Sequence, residues 1–300
     1  MSSSSTALKA GKAILVTGAN RGIGLAICNA ILKHECFNPE DRLYLGSRSF
    51  VRGLEAIEHG IDEKHAAQVK SLQLDVTDQI SVEIAKETIE SEMETDGLEF
   101  YGMVNNAGGY YGGDVKAALD INIYGMKRVT KAFLPLLTKK GGRVVNISSA
   151  AGPNYVNRQS DEDKAWMASK DVEWSQCEDY INKCLQTPVP EGGEWTASYG
   201  LSKAMVNCYT RVLARENPDL VINSVTPGYI LTDLTRSHAE KAGKTPEEMG
   251  MKSTDAGAKA PVHCLFADDI GHGWYYGSDC VRSPIDRYRS PGDPAFAGED

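Results

Sequence analysis

Short apolar runs alternate along the chain with longer stretches whose apolar residues recur at helical spacing. The runs predict strands at residues 13–17, 43–45, 71–74, 103–104, 143–147, 221–225 and 274–276. Between them, the spacing predicts helices over residues 23–32, 80–94, 115–137 and 199–216. Near-continuous apolar strands separated by helices are typical of a parallel sheet that is buried on both faces. The pattern therefore predicts a doubly wound α/β domain with a seven-stranded parallel sheet.

Three segments depart from this alternation. Residues 153–194 are too long for an ordinary connection, and Trp174, Cys177, Ile181 and Cys184 recur there at helical spacing. We interpret this segment as a helical insertion into the domain. The Ser-rich residues 1–11 are expected to form a disordered tail, and residues 281–300, which contain three prolines, an irregular tail. A single domain would then span residues 12–280.

Composition and charge narrow the range of partners. Hydrophobic residues make up 41% and charged residues 24% of the 300 residues, which is ordinary for a globular protein. The net charge of -9 argues against nucleic acid or an anionic membrane as a partner, because both bind basic surfaces. No run approaches the roughly 18 apolar residues of a membrane span, and no signal peptide is evident. We therefore expect a cytoplasmic protein, with a short transit signal as the open alternative.

The cysteines and histidines follow no metal-binding or disulfide pattern. Seven cysteines are scattered along the chain without a CxxC pair, which is typical of reduced thiols. Six histidines show no HExxH or paired-ligand spacing, so no metal site is expected.

A glycine-rich segment follows the first predicted strand and leads directly into a helix. Glycines at such a turn let the backbone approach a pyrophosphate, whose charge the free N–H groups of the helix N-terminus stabilise. A glycine cluster alone is weak evidence, but a strand before it and a helix after it are the context of a Rossmann dinucleotide-binding fold. The residues expected to contact the dinucleotide are Gly18, Asn20, Arg21, Gly22, Ile23 and Gly24.

The end of the second strand indicates which dinucleotide to expect. In NAD sites an acidic residue there binds the ribose hydroxyls, whereas a basic residue accommodates the extra phosphate of NADP. Here the strand ends in Gly46-Ser47-Arg48, and Arg21 would approach the same corner. Two guanidinium groups without a carboxylate favour NADPH/NADP, with two solvated surface arginines as the alternative. Asp75, followed by Val76, is placed to meet the adenine, or else it caps the next helix.

Six short motifs occur in a fixed order between residues 13 and 232. They are Thr17-Gly18-x-x-x-Gly22-x-Gly24, Asn105-Asn106-Ala107-Gly108, Asn122-Ile123-Tyr124-Gly125, Ile147-Ser148-Ser149, Tyr199-x-x-x-Lys203 and Pro227-Gly228. Together they resemble the motifs of the short-chain dehydrogenases/reductases. The long segment between Ser149 and Tyr199, and the run 142–149, further resemble the monomeric NADPH-dependent carbonyl reductases.

Four of these residues are candidates for catalysis. Tyr199 and Lys203 lie four apart on a predicted helix, so their side chains point to one face. A phenol titrates at about pH 10, and we expect the neighbouring ammonium to lower its pKa enough for proton transfer. Ser149 is expected to bind the substrate carbonyl oxygen; Ser148 is its rival, and the resemblance implies the second serine. The resemblance also implies that Asn122 supports a water and the lysine in a proton relay, with an exposed helix position as the alternative.

Two further loops are expected to line the dinucleotide. Asn105 and Asn106 should tie the fourth strand to its neighbours through side-chain bonds to backbone. The small residues that follow, Ala107 and Gly108, should leave space for the cofactor. The segment after the sixth strand is expected to close over the nicotinamide, although Pro-Gly is a turn signal anywhere. Expected cofactor contacts are Asn106, Ala107, Gly108, Tyr199, Lys203, Pro227, Gly228, Ile230 and Thr232.

The substrate pocket is expected between the insertion, the segment with Tyr110 and Tyr111, and the segment after Pro227. Trp195 and Tyr229 favour an apolar or aromatic carbonyl compound there.

The combined pattern predicts an enzyme that reduces a ketone, aldehyde or quinone carbonyl with NADPH, with Tyr199 as the proton donor. The alternatives are an NAD-dependent alcohol dehydrogenase of the same family and a catalytically silent NADPH-binding regulator. In the family that the motifs resemble, subunits associate through the helices that carry Asn122 and Tyr199. The insertion would cover that surface, so a monomer is expected, as in the carbonyl reductases.

Overall fold

The apolar runs form one sheet of eight strands in the structure, a computed structural model that describes residues 10–111, 114–186 and 196–298. The strands are Gly11–Val16 (β1), Arg42–Ser47 (β2), Val69–Gln73 (β3), Leu98–Asn105 (β4), Arg143–Ile147 (β5), Val221–Val225 (β6), Tyr275–Tyr276 (β7) and Arg282–Ser283 (β8). The helices are Gly22–Leu32 (α1), Phe50–Gly60 (α2), Glu63–Ala66 (α3), Gln79–Asp96 (α4), Val115–Leu119 (α5), Met126–Phe133 (α6), Ala151–Asn157 (α7), Asp161–Ala168 (α8), Trp174–Gln186 (α9), Thr196–Glu216 (α10), Asp233–Ala242 (α11) and Thr254–Phe266 (α12).

The strands lie in the order β3-β2-β1-β4-β5-β6-β7-β8, and the first seven in the chain run parallel. This order confirms the doubly wound α/β Rossmann-type fold. The predicted count of seven strands omits β8, which pairs antiparallel with β7. The chain reverses between them at a turn in which the N–H of Gly277 donates to the carbonyl of Val281 (2.8 Å). β8 therefore takes two residues from the segment that the sequence assigns to an irregular tail, because so short a strand leaves no apolar run to recognise.

Both faces of the sheet are buried, because successive strand residues point into opposite layers. Leu15 of β1 packs in the layer of α4, α6 and α10, whereas Ile14 and Val16 pack in the layer of α1 and α12. All three side chains are fully buried. This double coverage explains why the strands read as continuous apolar runs, and it leaves the carboxyl ends of the parallel strands as the edge open to a ligand.

The segment predicted as an insertion contains more than one helix. α7 begins just before it, α8 lies within it, and the stretch with Trp174 forms α9 as expected, with Cys177 and Ile181 buried. The indole of Trp174 lies 5.4 Å from the ring of Tyr209 on α10. It also lies 3.8 Å from Nζ of Lys127 on α6. α9 therefore covers parts of both α6 and α10.

Several helical regions differ from the sequence pattern, which leaves α2, α3 and α11 unpredicted. Residues 115–136 are helical throughout, as predicted to within one residue, but the segment Asp120–Gly125, which contains Asn122, is π-helical and lies between α5 and α6. The pattern does not predict α12, because Gly257 and Pro261 lie inside it and both disfavour helix. Packing overrides that propensity: a Cβ at Gly257 would lie 2.9 Å from Cγ1 of Ile230, so the glycine lets α12 approach the edge of the sheet.

No helix within residues 10–111, 114–186 and 196–298 is long and apolar enough to cross a membrane. In the same part of the chain, no three His, Cys, Asp or Glu side chains are grouped as metal ligands. The seven cysteines are free thiols.

Candidate active site

Loops from the carboxyl ends of β1, β4, β5 and β6 enclose a cavity of 230 Å³, which we call the central cavity. A second cavity of 220 Å³, the β2 cavity, adjoins it on the side of β2 and β3. The predicted residues that line the central cavity are Gly18, Arg21, Gly22, Ile23, Gly24, Asn106, Gly108, Ser149, Tyr199, Lys203, Pro227, Gly228, Ile230 and Thr232. Those that line the β2 cavity are Asn20, Arg48, Asp75, Val76 and Ala107, with Gly18, Arg21, Asn106 and Gly108 shared.

The glycine-rich loop after β1 leaves no room for side chains on its inner side. Gly18 has a φ of +62°, in the left-handed region that favours glycine, and a Cβ there would lie 2.8 Å from Cα of Ala107. A Cβ at Gly24 would lie 2.5 Å from Nδ2 of Asn106. At Gly22, by contrast, the nearest atom to an added Cβ is Cγ2 of Thr232 at 3.8 Å. The first turn of α1 is therefore open towards the central cavity.

Hydrogen bonds fix this loop to the loop after β4. Oγ1 of Thr17 accepts from the backbone N–H groups of Asn106 and Ala107, each at 3.0 Å. Nδ2 of Asn106 donates to the carbonyls of Thr17 (3.0 Å) and Gly18 (3.1 Å), as expected for a tie to backbone. Asn105 differs, because its Nδ2 donates to side chains, including Oδ1 of Asn146 at 2.8 Å. These bonds hold the floor of both cavities.

The β2 cavity carries an excess of positive charge. Arg21, Arg48 and Arg52 line it, and Asp75 is the carboxylate among its described lining residues. Sequence reasoning missed Arg52, although it lies four residues after Arg48 in the first turn of α2. The charge that would bind an anion at this end of the cleft is therefore larger than expected.

Asp75 neither caps a helix nor is free. Its Oδ1 accepts from the N–H (3.0 Å) and the hydroxyl (2.7 Å) of Thr77, and Asp78 is the N-cap of α4 instead. Tyr111 also lines the β2 cavity, beside Arg48, and is not among the residues that line the central or the third cavity described below.

Arg21 lies at the mouth of the cleft, where both cavities meet. Its Nη1 donates to Oδ2 of Asp233, the first residue of α11, at 2.5 Å. Both side chains are more than two thirds exposed, so the pair contributes little stability. The sequence gives Arg21 a phosphate as its only expected partner; the structure adds a carboxylate that lies 212 positions away in the chain.

Tyr199 and Lys203 occupy the buried face of α10 below the central cavity. Tyr199 shares a hydrogen bond with Ser149, which follows β5. Nζ of Lys203 lies 5.6 Å from the centre of the Tyr199 ring and donates to the carbonyl of Ile147 at 2.7 Å. The side chain of Lys203 is only 4% exposed. The three expected catalytic groups thus lie together around one end of the central cavity.

Burial dominates the acid-base properties of this group. It raises the pKa of Tyr199 to about 12, against the opposing effect of the hydrogen bond with Ser149. It lowers the pKa of Lys203 to about 8. The expectation that the lysine lowers the pKa of the phenol is therefore not met here, because desolvation of the phenolate is the larger effect.

The two serines after β5 have different surroundings. The hydroxyl of Ser148 is buried and donates to the backbone carbonyl of Lys203 at 3.1 Å. That of Ser149 accepts from the N–H of Ala151 at 3.2 Å and shares the bond with Tyr199. Ser148 therefore ties β5 to α10, while Ser149 contacts the expected proton donor.

Asn122 is buried, so the exposed helix position considered for it is excluded. Its Oδ1 accepts from the N–H of Gly109 (2.8 Å), and its Nδ2 donates to the carbonyl of Gly109 (2.9 Å) and to Oγ of Ser202 (2.9 Å). Ser202 in turn donates to the carbonyl of Tyr199 at 2.8 Å. Asn122 thus connects the loop after β4 with the helix of the catalytic pair, and Ser202 is a member of the site that sequence reasoning missed.

The loop after β6 forms the far wall of the central cavity. Gly228 has a φ of +94°, which explains the Pro-Gly pair, and Ile230 is buried against α12. The N–H of Thr232 donates to Oγ1 of Thr235 at 3.0 Å, so this residue also opens α11.

A third cavity of 310 Å³, the outer cavity, continues from Ser149 and Gly228 away from the β2 side. Tyr229 lines it as expected, whereas Trp195 lies outside the described residues and Tyr110 lines the central cavity. Sequence reasoning missed the C-terminal residues in its wall, Tyr288, Arg289 and Pro291, and the buried Tyr275 of β7. No periodicity or motif marks the three C-terminal residues, and the predicted strand that contains Tyr275 does not by itself indicate a site.

The residues present fit a dinucleotide. Gly18 and Gly24 pack so closely against the loop after β4 that neither position has room for a Cβ. The first turn of α1 is open and offers backbone N–H groups to a pyrophosphate. The two cavities on either side of this turn have room for the two nucleosides, and they share four of the lining residues.

Comparisons with known proteins identify the family. Residues 12–184 match the model of the short chain dehydrogenases. (+)-Neomenthol dehydrogenase of Arabidopsis thaliana is 30% identical over 288 residues, which cover 83% of this chain and 89% of that protein. The chain belongs to the short-chain dehydrogenase family.

Other relatives of this short-chain dehydrogenase are reductases. Carbonyl reductase [NADPH] 3 of Mus musculus is 28% identical over 267 residues, which cover 83% of this chain and 88% of that protein. The solved structure of salutaridine reductase from Papaver somniferum matches with a TM-score of 0.71 and 25% identity, covering 88% of this chain and 99% of that chain. The resemblance to carbonyl reductases is confirmed, and the protein is an oxidoreductase of a family that binds a nicotinamide cofactor.

Proposed function

We propose that this short-chain dehydrogenase reduces the carbonyl group of a small ketone, aldehyde or quinone with NADPH. The observation that carries the proposal is the convergence of Ser149, Tyr199 and Lys203 on the cavity that the glycine-rich loop borders. A silent NADPH-binding regulator would have no chemical need for that convergence.

The proposed chemistry assigns one task to each group. NADPH, when bound, supplies the hydride to the carbonyl carbon. Ser149 and Tyr199 donate hydrogen bonds to the carbonyl oxygen, and the phenol of Tyr199 transfers its proton to that oxygen to give the alcohol. With a pKa of about 12, the phenol carries its proton at neutral pH, as a donor must. Lys203, still charged below pH 8, stabilises the phenolate that remains until water reprotonates it.

Residues around the reacting groups hold them in place. Asn122 and Ser202 keep the loop at Gly109 against α10, and the buried bond from Lys203 to Ile147 orients the ammonium. Asn106, Ala107 and Gly108 would bind the cofactor between the glycine-rich loop and the loop that carries Ile230 and Thr232. The β2 cavity would hold its adenine end against Asp75 and Val76.

Replacement of Tyr199 tests the catalytic assignment. We expect Tyr199→Phe to lower kcat by about 100-fold or more, the usual contribution of general acid catalysis, with a nearly unchanged Kd for NADPH. Tyr44→Phe is the matched control, because the Tyr44 hydroxyl bonds to Glu92 at 2.9 Å, away from the described cavities. Steady-state kinetics and fluorescence titration with NADPH measure both quantities. Undiminished turnover in Tyr199→Phe would refute the assigned role.

The excess of arginines in the β2 cavity supports NADPH over NADH, and a relative bears NADPH in its name. We expect Arg48→Ala to weaken NADPH binding by about 10-fold or more, since a charge-assisted hydrogen bond contributes roughly 1.5–3 kcal/mol, with little change for NADH. Arg42→Ala, at the opposite end of β2, is the control. Equal affinities of the wild-type protein for NADH and NADPH would favour the NAD-dependent alcohol dehydrogenase.

Packing of the insertion supports a monomer. α9 lies on α6 and α10 through Trp174, so the surface used for association in related proteins is covered within the chain. Sedimentation equilibrium should give the mass of one chain, 32.6 kDa. A stable tetramer would contradict this part of the proposal.

The seven free cysteines support a reducing compartment such as the cytoplasm, and the acidic charge argues against a nucleic-acid partner.

A further inference from the structure

The outer cavity has two walls and a base that reaches the catalytic group. Ser149 and Gly228 form the base and border the central cavity as well. One wall is α7, with Asn154 and Tyr155. The other wall comes from the C-terminal segment, residues 277–291. A substrate whose carbonyl lies at Ser149 therefore extends between α7 and this segment.

Polar contacts around one well-covered arginine fix the C-terminal segment. The side chain of Arg289 is only 6% exposed, and it pairs with Asp279 through Nη2. Its Nε donates to Oγ of Ser283 at 2.9 Å, and its Nη1 donates to the carbonyl of Asp293 at 2.6 Å. We call Asp279, Ser283 and Arg289 the C-terminal clasp. It ties the residues after β8 back onto the turn between β7 and β8.

The clasp also neutralises its own charges. Burial raises the pKa of Asp279, but the bonds from Arg289 and from the N–H of Gly292 (2.9 Å) outweigh that effect, and its pKa lies below the ordinary value. Gly277 lies under the clasp, where a Cβ would be 2.6 Å from Oδ1 of Asp279. The guanidinium is thus occupied by protein groups, so its function in the wall is to hold the neighbouring residues.

Tyr288 immediately precedes Arg289 of the clasp and lines the outer cavity. Tyr288 is 50% exposed, and the same cavity is lined by Tyr155 and by Tyr229, which is 36% exposed. Aromatic side chains with a free face bind flat rings by offset stacking. An exposed ring whose neighbour in the chain is anchored by the clasp, in a cavity that Ser149 also lines, is suited to such a contact.

We propose that Tyr288 is a specificity-determining residue of this enzyme and that Arg289 is its positioning residue, together selecting carbonyl compounds that carry a flat aromatic ring. The inference rests on the proposed function for the carbonyl end of the substrate and on the clasp for the ring end. A short aliphatic aldehyde reaches Ser149 without touching Tyr288, so its reduction does not depend on this wall.

Kinetics with two substrates tests the inference. In Tyr288→Ala we expect KM for a naphthoquinone to rise about tenfold with kcat unchanged, because the loss of one aromatic contact weakens binding by about this factor. The kcat/KM for propanal should stay within about twofold of the wild-type value. Tyr288→Phe keeps the ring and should keep the wild-type values. Arg289→Met should reproduce the loss, and Arg287→Met is its control, because Arg287 is exposed and pairs with the adjacent Asp286. Equal losses for both substrates would overturn the inference.

A binding measurement separates this inference from the proposed function. We expect 2-naphthol to bind about tenfold more weakly to Tyr288→Ala than to the wild-type protein by calorimetry, whether or not any carbonyl is reduced. Tyr288 is half-exposed, so this variant should fold even if Arg289→Met does not. Unchanged 2-naphthol affinity in Tyr288→Ala would refute the specificity wall. Wild-type protein that reduces no carbonyl compound would refute the proposed function alone.

Discussion

The buried lysine of the catalytic pair should make the folded protein less stable at neutral pH. A pKa lowered from 10.5 to about 8 corresponds to about 3 kcal/mol, because each pH unit is worth about 1.4 kcal/mol. Lys203→Met removes this charge and keeps a side chain of similar length. It also removes the bond to the carbonyl of Ile147, at a cost of roughly 1 kcal/mol. We therefore expect the variant to be more stable than the wild type at pH 7 by about 2 kcal/mol, while its reductase activity is lost.

The pH dependence of this difference identifies its cause. Lys203 has a lowered pKa in the folded protein, so between pH 8 and 10.5 the folded wild type has released a proton that the unfolded chain still holds. The unfolded state then binds more protons, and the stability of the wild type rises with pH across this window. Lys203→Met has no such rise. Its advantage should shrink above pH 8 and disappear by about pH 10.

Urea unfolding of nucleotide-free protein at pH 7, 8, 9 and 10 measures the difference. Lys116→Met, which replaces an exposed lysine on α5, is the control and should show no pH-dependent change relative to the wild type. Other groups titrate equally in all three proteins, so the comparison isolates Lys203. The reasoning is refuted if Lys203→Met is less stable than the wild type at pH 7, or if the difference does not vary with pH.

Three further predictions concern the same site. The kcat/KM for reduction should be constant near neutrality and fall as pH rises through about 8, where Lys203 loses its charge, as a pH-rate profile will test. Ser202→Ala should lower kcat several-fold with KM nearly unchanged, because Nδ2 of Asn122 loses an acceptor, whereas Ser202→Thr should retain most activity. Gly24→Ala should cost about 1–3 kcal/mol in urea unfolding and weaken NADPH binding, because the new Cβ would lie 2.5 Å from Nδ2 of Asn106; wild-type stability would contradict the close packing of the two loops.

Much of the fold could be predicted from the sequence, because strands buried on both faces must be apolar at every position. Ile14, Leu15 and Val16 illustrate this, since no exposed face interrupts their run. The residues at the ends of these strands were predictable for a related reason: parallel strands bring their carboxyl ends to one edge. The placement of Ser149 and Tyr199 at one cavity follows from that edge and from helical spacing.

Other parts depend on contacts that no local pattern records. The ion pair of Arg21 and Asp233 joins residues 212 positions apart, and neither neighbourhood in the sequence indicates the other. The four bonds of Arg289 end largely on an irregular segment, where periodicity carries no information. The pKa of Tyr199 depends on how deeply the phenol is buried, which a spacing of four residues from a lysine does not reveal.

Because the segment around Asn122 is π-helical, the number of residues between α5 and α6 matters more for the fold than the types of most of those residues. Such a segment accommodates one residue more than regular helix would. Deleting a single residue within Asp120–Gly125 would let the two helices join as one regular helix, and it would change the directions of the side chains inside the segment. Asn122 would then point away from Gly109, and the chain would gain a more regular helix at the expense of its catalytic scaffold. For protein engineering, this segment should accept exchanges of side chains much more readily than a change in the number of residues.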